Sequence, residues 1–267
     1  MNQNEAAKEN MGKIIQVRGV DKNFEVADQY TKVIKNMNFD VIAGEFVMIH
    51  GPSGSGKSTL LHMINGWEEP TNGYIFIEGT NVYIENENKR AKIYHNTIGM
   101  VHQQPFWIKS LSVLENIQVP YWLSGHKRKE SLERAAKIIS LLGLEEFSNY
   151  KPMDLSGGQQ QRISLLRSLI NNPKIIIADE PTGNLDSKTA DLLMELFLEI
   201  NSQLKRTIIM ATHNTNLLRY ATKIIHITDG MIDKLTVTQK NFKPQEPVGD
   251  VFDLERIGDS FKKSGSS

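Results

Sequence analysis

The chain has 267 residues, 39% of them apolar, enough for a sizeable core in one large domain or two lobes. Its 31 basic and 31 acidic residues leave a formal charge of zero, so no overall basic field points to nucleic acid and none is expected as a partner. The absence of cysteine excludes disulfides, thiol nucleophiles and Cys-ligated metals; no run nears the ~18 apolar residues of a membrane span, and the start "MNQNEAAKEN" lacks the apolar core of a secretory signal.

Residues 14–20, "IIQVRGV", and 32–49 are predicted to supply the early strands. The second stretch ends in "FVMI", Phe46–Ile49, a short apolar run that reads as a buried strand. Directly after it come Gly51, Pro52, Ser53, Gly54, Ser55, Gly56, Lys57, Ser58 and Thr59, then a helix-forming run with Leu60, Leu61 and Ile64. G-x-x-x-x-G-K-S between a strand and a helix is the P-loop pattern in the context it requires. The glycines let backbone amides curl around phosphate oxygens, and the new helix aims its free amides at the same anion. Lys57 reaches the outer phosphates, and the Ser58 hydroxyl suits Mg²⁺. The plain alternative is a Gly/Ser-rich turn before an ordinary helix.

Tyr74–Ile77, flanked by Gly73 and Gly79, suggests another strand. From about 104 to 165 the character turns helical. "KESLERAAKIISLLGLEEF" carries Leu132, Ala135, Ile138, Ile139 and Leu142 at helical spacing, with Gly143 as a stop. In "LSGGQQQR", Ser156, Gly157, Gly158 and Gln159 precede a helix whose face is Ile163, Leu165, Leu166, Leu169 and Ile170. A serine N-cap followed by glycines makes a second anion cradle. One nucleotide does not readily need two helix N-termini from distant parts of one chain, so a head-to-tail homodimer is expected. "PKIIIADEP" then gives a buried strand, Ile175–Ala178, with two acids at its end. Asp179 is placed to hold Mg²⁺ and Glu180 to orient or deprotonate an attacking water; alternatively they are two solvated acids. Strands at 206–212 and 224–228 complete the core. In the tail, Val251, Leu254, Ile257 and Phe261 stand at helical spacing, with Gly258 weakening the pattern.

Together, Gly51–Thr59, Leu155–Arg162 and Ile175–Pro181 resemble the ATP-binding-cassette (ABC) ATPases, and "LSGGQ" is the most specific of the three. Three smaller markers fall in order with them. Gln103 in "IGMVHQQ" resembles the glutamine loop, Gly183–Asp186 ("GNLD") the D-loop, and His213 after "TIIMAT" the switch histidine. The resemblance covers roughly residues 12–235. It implies an α/β P-loop NTPase ABC ATPase fold, a mixed-sheet core over 12–238 with an inserted helical subdomain at about 104–165. Residues 1–11 and 239–267 are then terminal extensions. It implies ATP and Mg²⁺ as ligands, Gln103 sensing the γ-phosphate and Mg²⁺, His213 contacting the γ-phosphate, and Asp186 of the D-loop among the nucleotide-binding residues. Phe24 aligns with the family's adenine-stacking aromatic; the alternative is a core aromatic. Taken alone, Gln103 is a surface residue, His213 a strand cap and Asp186 a turn acid.

"SLSVLENIQVPYWLSG" and "ADEPTGNLDSKTA" are similar to one branch: the ATPase subunits of lipoprotein-release, macrolide-efflux, peptide-antibiotic-resistance and cell-division systems. That branch implies a membrane permease partner with four spans and a large extracytoplasmic domain, and a place on the cytoplasmic face of the membrane. The alternatives are a conventional importer ATPase or a regulatory, non-transport ABC ATPase. The sequence departs from the branch at His102, at "PFWIKS" (105–110) and at "ISLLRSLI". The family stretch after Gln103 helps line the groove that grips the partner's coupling helix. Pro105, Phe106 and Trp107 therefore either face the partner or pack inside the helical subdomain.

Overall fold

The computed structural model describes residues 12–26, 29–239 and 242–250. In chain order its elements are β1 (Lys13–Val26), β2 (Gln29–Ile42), β3 (Phe46–His50), α1 (Lys57–Ile64), β4 (Asn72–Ile77), β5 (Thr80–Asn81), α2 (Glu87–Thr97), β6 (Ile98–Val101), α3 (Val113–Leu123), α4 (Arg128–Leu141), α5 (Gly157–Leu169), β7 (Ile175–Asp179), α6 (Ser187–Leu204), β8 (Thr207–Thr212), β9 (Lys223–Thr228) and β10 (Met231–Val237). They divide into two units, Met1–Tyr94 with Thr207–Pro247, and His95–Arg206 with Val248–Ser267.

In the first unit, β1 buries Ile15, Val17 and Val20. Its antiparallel partners β2 and β4 give a sheet in the order β2-β1-β4-β5. β3 runs parallel between β8 and β9, pairing His50 with Thr212 on one side and with His226 on the other. Strands buried on both faces read as unbroken apolar runs, and Phe46–Ile49 is such a run. The start of β3 is fixed by a buried ion pair: Lys223 Nζ lies 2.6 Å from Glu45 Oε2, which also accepts the Ile42 N–H at 2.8 Å. The stretch expected as strand over 32–49 breaks there, where the Glu45 N–H turns back to the Ile42 carbonyl. Of two elements without a sequence signal, α2 is nearly all polar and buries only Thr97. The other, β10, is a mostly exposed strand that pairs antiparallel with β9.

In the second unit, β6 and β7 pair in parallel from Ile98↔Ile175 to Val101↔Ala178. α3 opens with a capping box, Ser112 Oγ accepting the Glu115 N–H while Glu115 accepts the Ser112 N–H. α4 buries Ala135, Ile138 and Ile139 and stops before Gly143. α3, α4 and α5 pack on one another, and α5 also packs on β6 and α6. Its buried face is Ile163, Leu165, Leu166 and Leu169, as the spacing predicts. The segment from Val248 is held by the Leu204 carbonyl, by Arg206 on the Gly249 carbonyl, and by a bidentate pair between Arg134 and Asp250 at 3.1 and 3.2 Å. The amphipathic helix expected over 251–261 lies outside the described residues. No helix among the described residues is long and apolar enough to cross a membrane.

Candidate active site

The first unit carries the phosphate-loop residues. β3 delivers the chain to Gly51 at its buried end, and α1 begins six residues later. Gly56 is the N-cap at φ 99°, and no side chain caps the helix. A Cβ at Gly56 would stand 2.7 Å from Ile34 Cδ1, so only glycine fits this left-handed turn. An uncapped helix start presents its amides and positive dipole end to an incoming anion. Lys57 is 4% exposed, and its ammonium donates to the carbonyls of Gly51 (3.0 Å) and Pro52 (2.9 Å). Ser55 Oγ is buried without a hydrogen-bond partner. Pro52, Ser53, Gly54 and Ser58 are exposed, and Thr59 is half-buried. A cation folded into its own loop, an orphaned hydroxyl and an open helix terminus fit a polyphosphate.

Phe24 is half-buried in β1, with the Lys22 ammonium 4.8 Å from its ring centre. His213 is exposed immediately after β8. At the end of β3, His50 packs edge-on against His226 of β9 at 5.5 Å. Burial holds the His50 pKa below its ordinary value and repulsion from His226 adds to this, while a hydrogen bond to the His213 backbone opposes both.

The second unit carries the acids and the signature. β7 buries Ile175–Ala178 and leaves Asp179 half-buried at its end. Glu180 follows at φ 43°, an uncommon conformation for a residue with a side chain, and its carbonyl accepts the Gly183 N–H at 3.0 Å. Gln103 is exposed just past β6. A Cβ at Gly183 would lie 3.0 Å from Gln103 Nε2, so the glutamine and Gly183–Asp186 segments meet here. Asp186 is the N-cap of α6, taking the Thr189 N–H at 3.0 Å and the Thr189 hydroxyl at 2.6 Å. Those bonds hold its carboxyl below the usual range.

Ser156 is the N-cap of α5, as its residue type predicts, and Gln159 completes a capping box with it. The two side chains are therefore engaged with one another. Gly157 is exposed, but Gly158 is buried against α6, where a Cβ would meet Thr189 Cγ2 at 2.2 Å. Gly158 therefore also permits the close approach of α5 to α6. Pro105, Phe106 and Trp107 split between the two expectations. Phe106 is 68% exposed, whereas Trp107 is half-buried and bonded to Gln160 of α5. A cavity of about 270 Å³ is lined by Gln103, Pro105, Trp107, Met153, Gly157 and Gln160, among others. The sequence reading missed Gln160, Gln161 and Arg167, which fasten this loop. The available signal was long polar side chains on a helix that also carries the core face Ile163, Leu165, Leu166 and Leu169.

Among the described residues no group of three or more His, Asp or Glu could hold a metal unaided. Ser58 in the first unit, and Gln103 and Asp179 in the second, each carry a hard oxygen donor of the kind magnesium accepts.

The family model for ABC transporters matches residues 34–183. An ABC transporter ATP-binding protein of Methanocaldococcus jannaschii, MJ0796, is 39% identical over 228 residues, covering 83% of this chain and 96% of its own. The lipoprotein-releasing system ATP-binding protein LolD 1 of Chlorobium chlorochromatii is 37% identical, covering 82% of this chain and 90% of its own. A solved dimeric structure of the MJ0796 cassette matches with a TM-score of 0.79 at 37% identity, over 85% of this chain and 100% of that one. A dimeric post-hydrolysis state of the same cassette, bound to ADP and Pi, matches with the same TM-score at 36% identity, with the same coverage.

Proposed function

The chain belongs to the ABC transporter family of ATP-binding subunits, and on that premise we propose how its residues hydrolyse ATP and which membrane partner it drives. The observation that carries the reading is the loop from Gly51 to Lys57: a 4%-exposed ammonium beside an uncapped helix start. ATP phosphates draw Lys57 off the loop carbonyls and take the amides of the first turn of α1. Phe24 stacks on the adenine. Ser58, Gln103 and Asp179 would hold Mg²⁺, which would supply charge neutralisation at the transferred phosphoryl group. Glu180 orients the attacking water and accepts its proton, and His213 contacts the γ-phosphate. Two chains pair head to tail, so that Ser156–Gly158 of one closes on the nucleotide of the other, with Asp186 at the interface. Turnover loosens the dimer.

The partner is an integral membrane permease of four spans with a large extracytoplasmic domain, engaged at the cytoplasmic face through the surface beside Gln103. The lipoprotein-releasing relative and the exposed Phe106, Ile108 and Met153 support this. Affinity capture from native membranes with the tagged chain tests it. Co-purification of a four-span protein is expected. Recovery of a many-span permease instead would make the chain a conventional importer subunit, and recovery of ribosomes would contradict both.

A further inference from the structure

The stretch after Gln103 is fastened to the signature helix through both its backbone carbonyls and the Trp107 side chain. Trp107 sits between two exposed residues, Phe106 and Ile108. Its indole N–H donates to Gln160 Oε1 at 2.9 Å. The Arg167 guanidinium lies 4.4 Å from the indole ring centre, and it also donates to the Phe106 carbonyl. Burial pulls the Arg167 pKa down to about 10, so it remains a cation at neutral pH and the ring face is a fitting neighbour. Gln161, 4% exposed, donates to the carbonyls of His102 (3.0 Å) and Gln103 (2.6 Å). On the far side, the Asn116 amide holds both the N–H and the carbonyl of Ile108. Gln160 closes the series by donating to the Leu155 carbonyl at 3.0 Å. Leu155 immediately precedes Ser156, the α5 N-cap. A bonded path therefore runs from Trp107 through Gln160 to the residue before the signature serine.

We propose that Trp107 is a positioning residue, whose bond to Gln160 makes the placement of Ser156–Gly158 follow the loop 103–108. This rests on the reading that Ser156–Gly158 close the nucleotide site of a second chain. Indole N–H is a donor with no acceptor role, so an aliphatic or phenyl side chain at 107 makes no such link. Contact made by a partner on Phe106 or Ile108 then reaches the signature without passing through the phosphate loop.

The test is Trp107→Phe in the full chain, which keeps a six-membered ring for Arg167 while removing the donor and part of the ring area. A kcat lowered roughly three- to tenfold is expected for one part-buried hydrogen bond felt in turnover. The KM for ATP stays within twofold, because Lys57 and its loop are untouched. Gln160→Met, which also loses the bond to the Leu155 carbonyl, falls at least as far, and the double variant falls no further than Gln160→Met alone. Hydrogen exchange at the Gln159–Gln161 amides of the nucleotide-free chain quickens in Trp107→Phe, a readout independent of turnover. Unchanged exchange there, or additive losses in the double variant, would overturn the proposal. Ser156→Arg separates the two levels: full turnover in that variant would sink the closing role of the signature, while leaving the exchange result to stand or fall on its own.

Discussion

Gly158→Ala puts two opposed effects against each other in one methyl group. In a helix without other constraints, the change removes backbone freedom from the unfolded chain and stabilises by about 0.5–1 kcal/mol. Here the new Cβ would stand 2.2 Å from Thr189 Cγ2. Thr189 does not readily turn away, because its hydroxyl donates to Asp186 Oδ2 at 2.6 Å and its N–H to Asp186 Oδ1 at 3.0 Å. Overpacking of this kind typically costs about 1–3 kcal/mol, so the clash wins and the net sign is destabilising. For a chain of this size, a net loss of about 1 kcal/mol is roughly 2–4 °C in Tm. Thr189→Ser deletes the clashing methyl and keeps the hydroxyl on Asp186. Adding it to Gly158→Ala is expected to restore most of the lost Tm in a calorimetric or fluorescence melt. A Gly158→Ala chain that melts at or above wild type, or a double variant no better than the single, would refute the packing of α5 on α6 described above.

Lys57→Ala is expected to weaken ATP binding strongly in a titration with labelled nucleotide, since it removes a charge-assisted contact to the outer phosphates; near-wild-type affinity would take Lys57 out of the site. Ser156→Arg is expected to spare ATP binding and abolish turnover, and mixing it with Lys57→Ala should recover activity, because the mixed dimer retains one site with both halves intact. No recovery on mixing would contradict the head-to-tail arrangement. The depressed pKa of His50 gives a pH effect of definite sign. On acidification the unfolded chain takes up the proton first, near pH 6.5, so the stability His50 contributes is complete above that value and is lost as pH falls through the folded-state pKa. The urea midpoint should therefore drop between pH 7 and 5.5, and His50→Gln should flatten that slope; equal slopes would remove His50 as the cause.

Elements with a strong local pattern were legible in the sequence. The buried strands around Phe46–Ile49 and Ile175–Ala178 are continuous apolar runs, and α4 and α5 show their core faces at helical spacing. The serine cap at Ser156 follows from residue type alone. α2 and β10 were not legible, because each turns most of its residues to solvent and so has little apolar periodicity. The site shows the same divide. The phosphate-loop residues are contiguous, so spacing reveals them. The fastening of His102–Trp107 depends on residues more than fifty positions away, Gln160 and Gln161, whose polarity on a packed helix has meaning only once the loop is seen against it. The packing role of Gly158 was not legible for a related reason: its neighbour Thr189 lies on another helix.

Glu180→Gln tests the central claim most directly. The substitution keeps size and hydrogen-bonding capacity and removes the basic carboxylate, leaving Gly51–Thr59 and Asp179 intact. Phosphate release under saturating ATP·Mg²⁺ is expected to fall by roughly 10²–10⁴, the range for deleting a positioned acid–base group, while labelled ATP binds as tightly as to wild type. A Glu180→Gln chain that releases phosphate within twofold of the wild-type rate would contradict both the assignment of Glu180 and the hydrolytic cycle built on it.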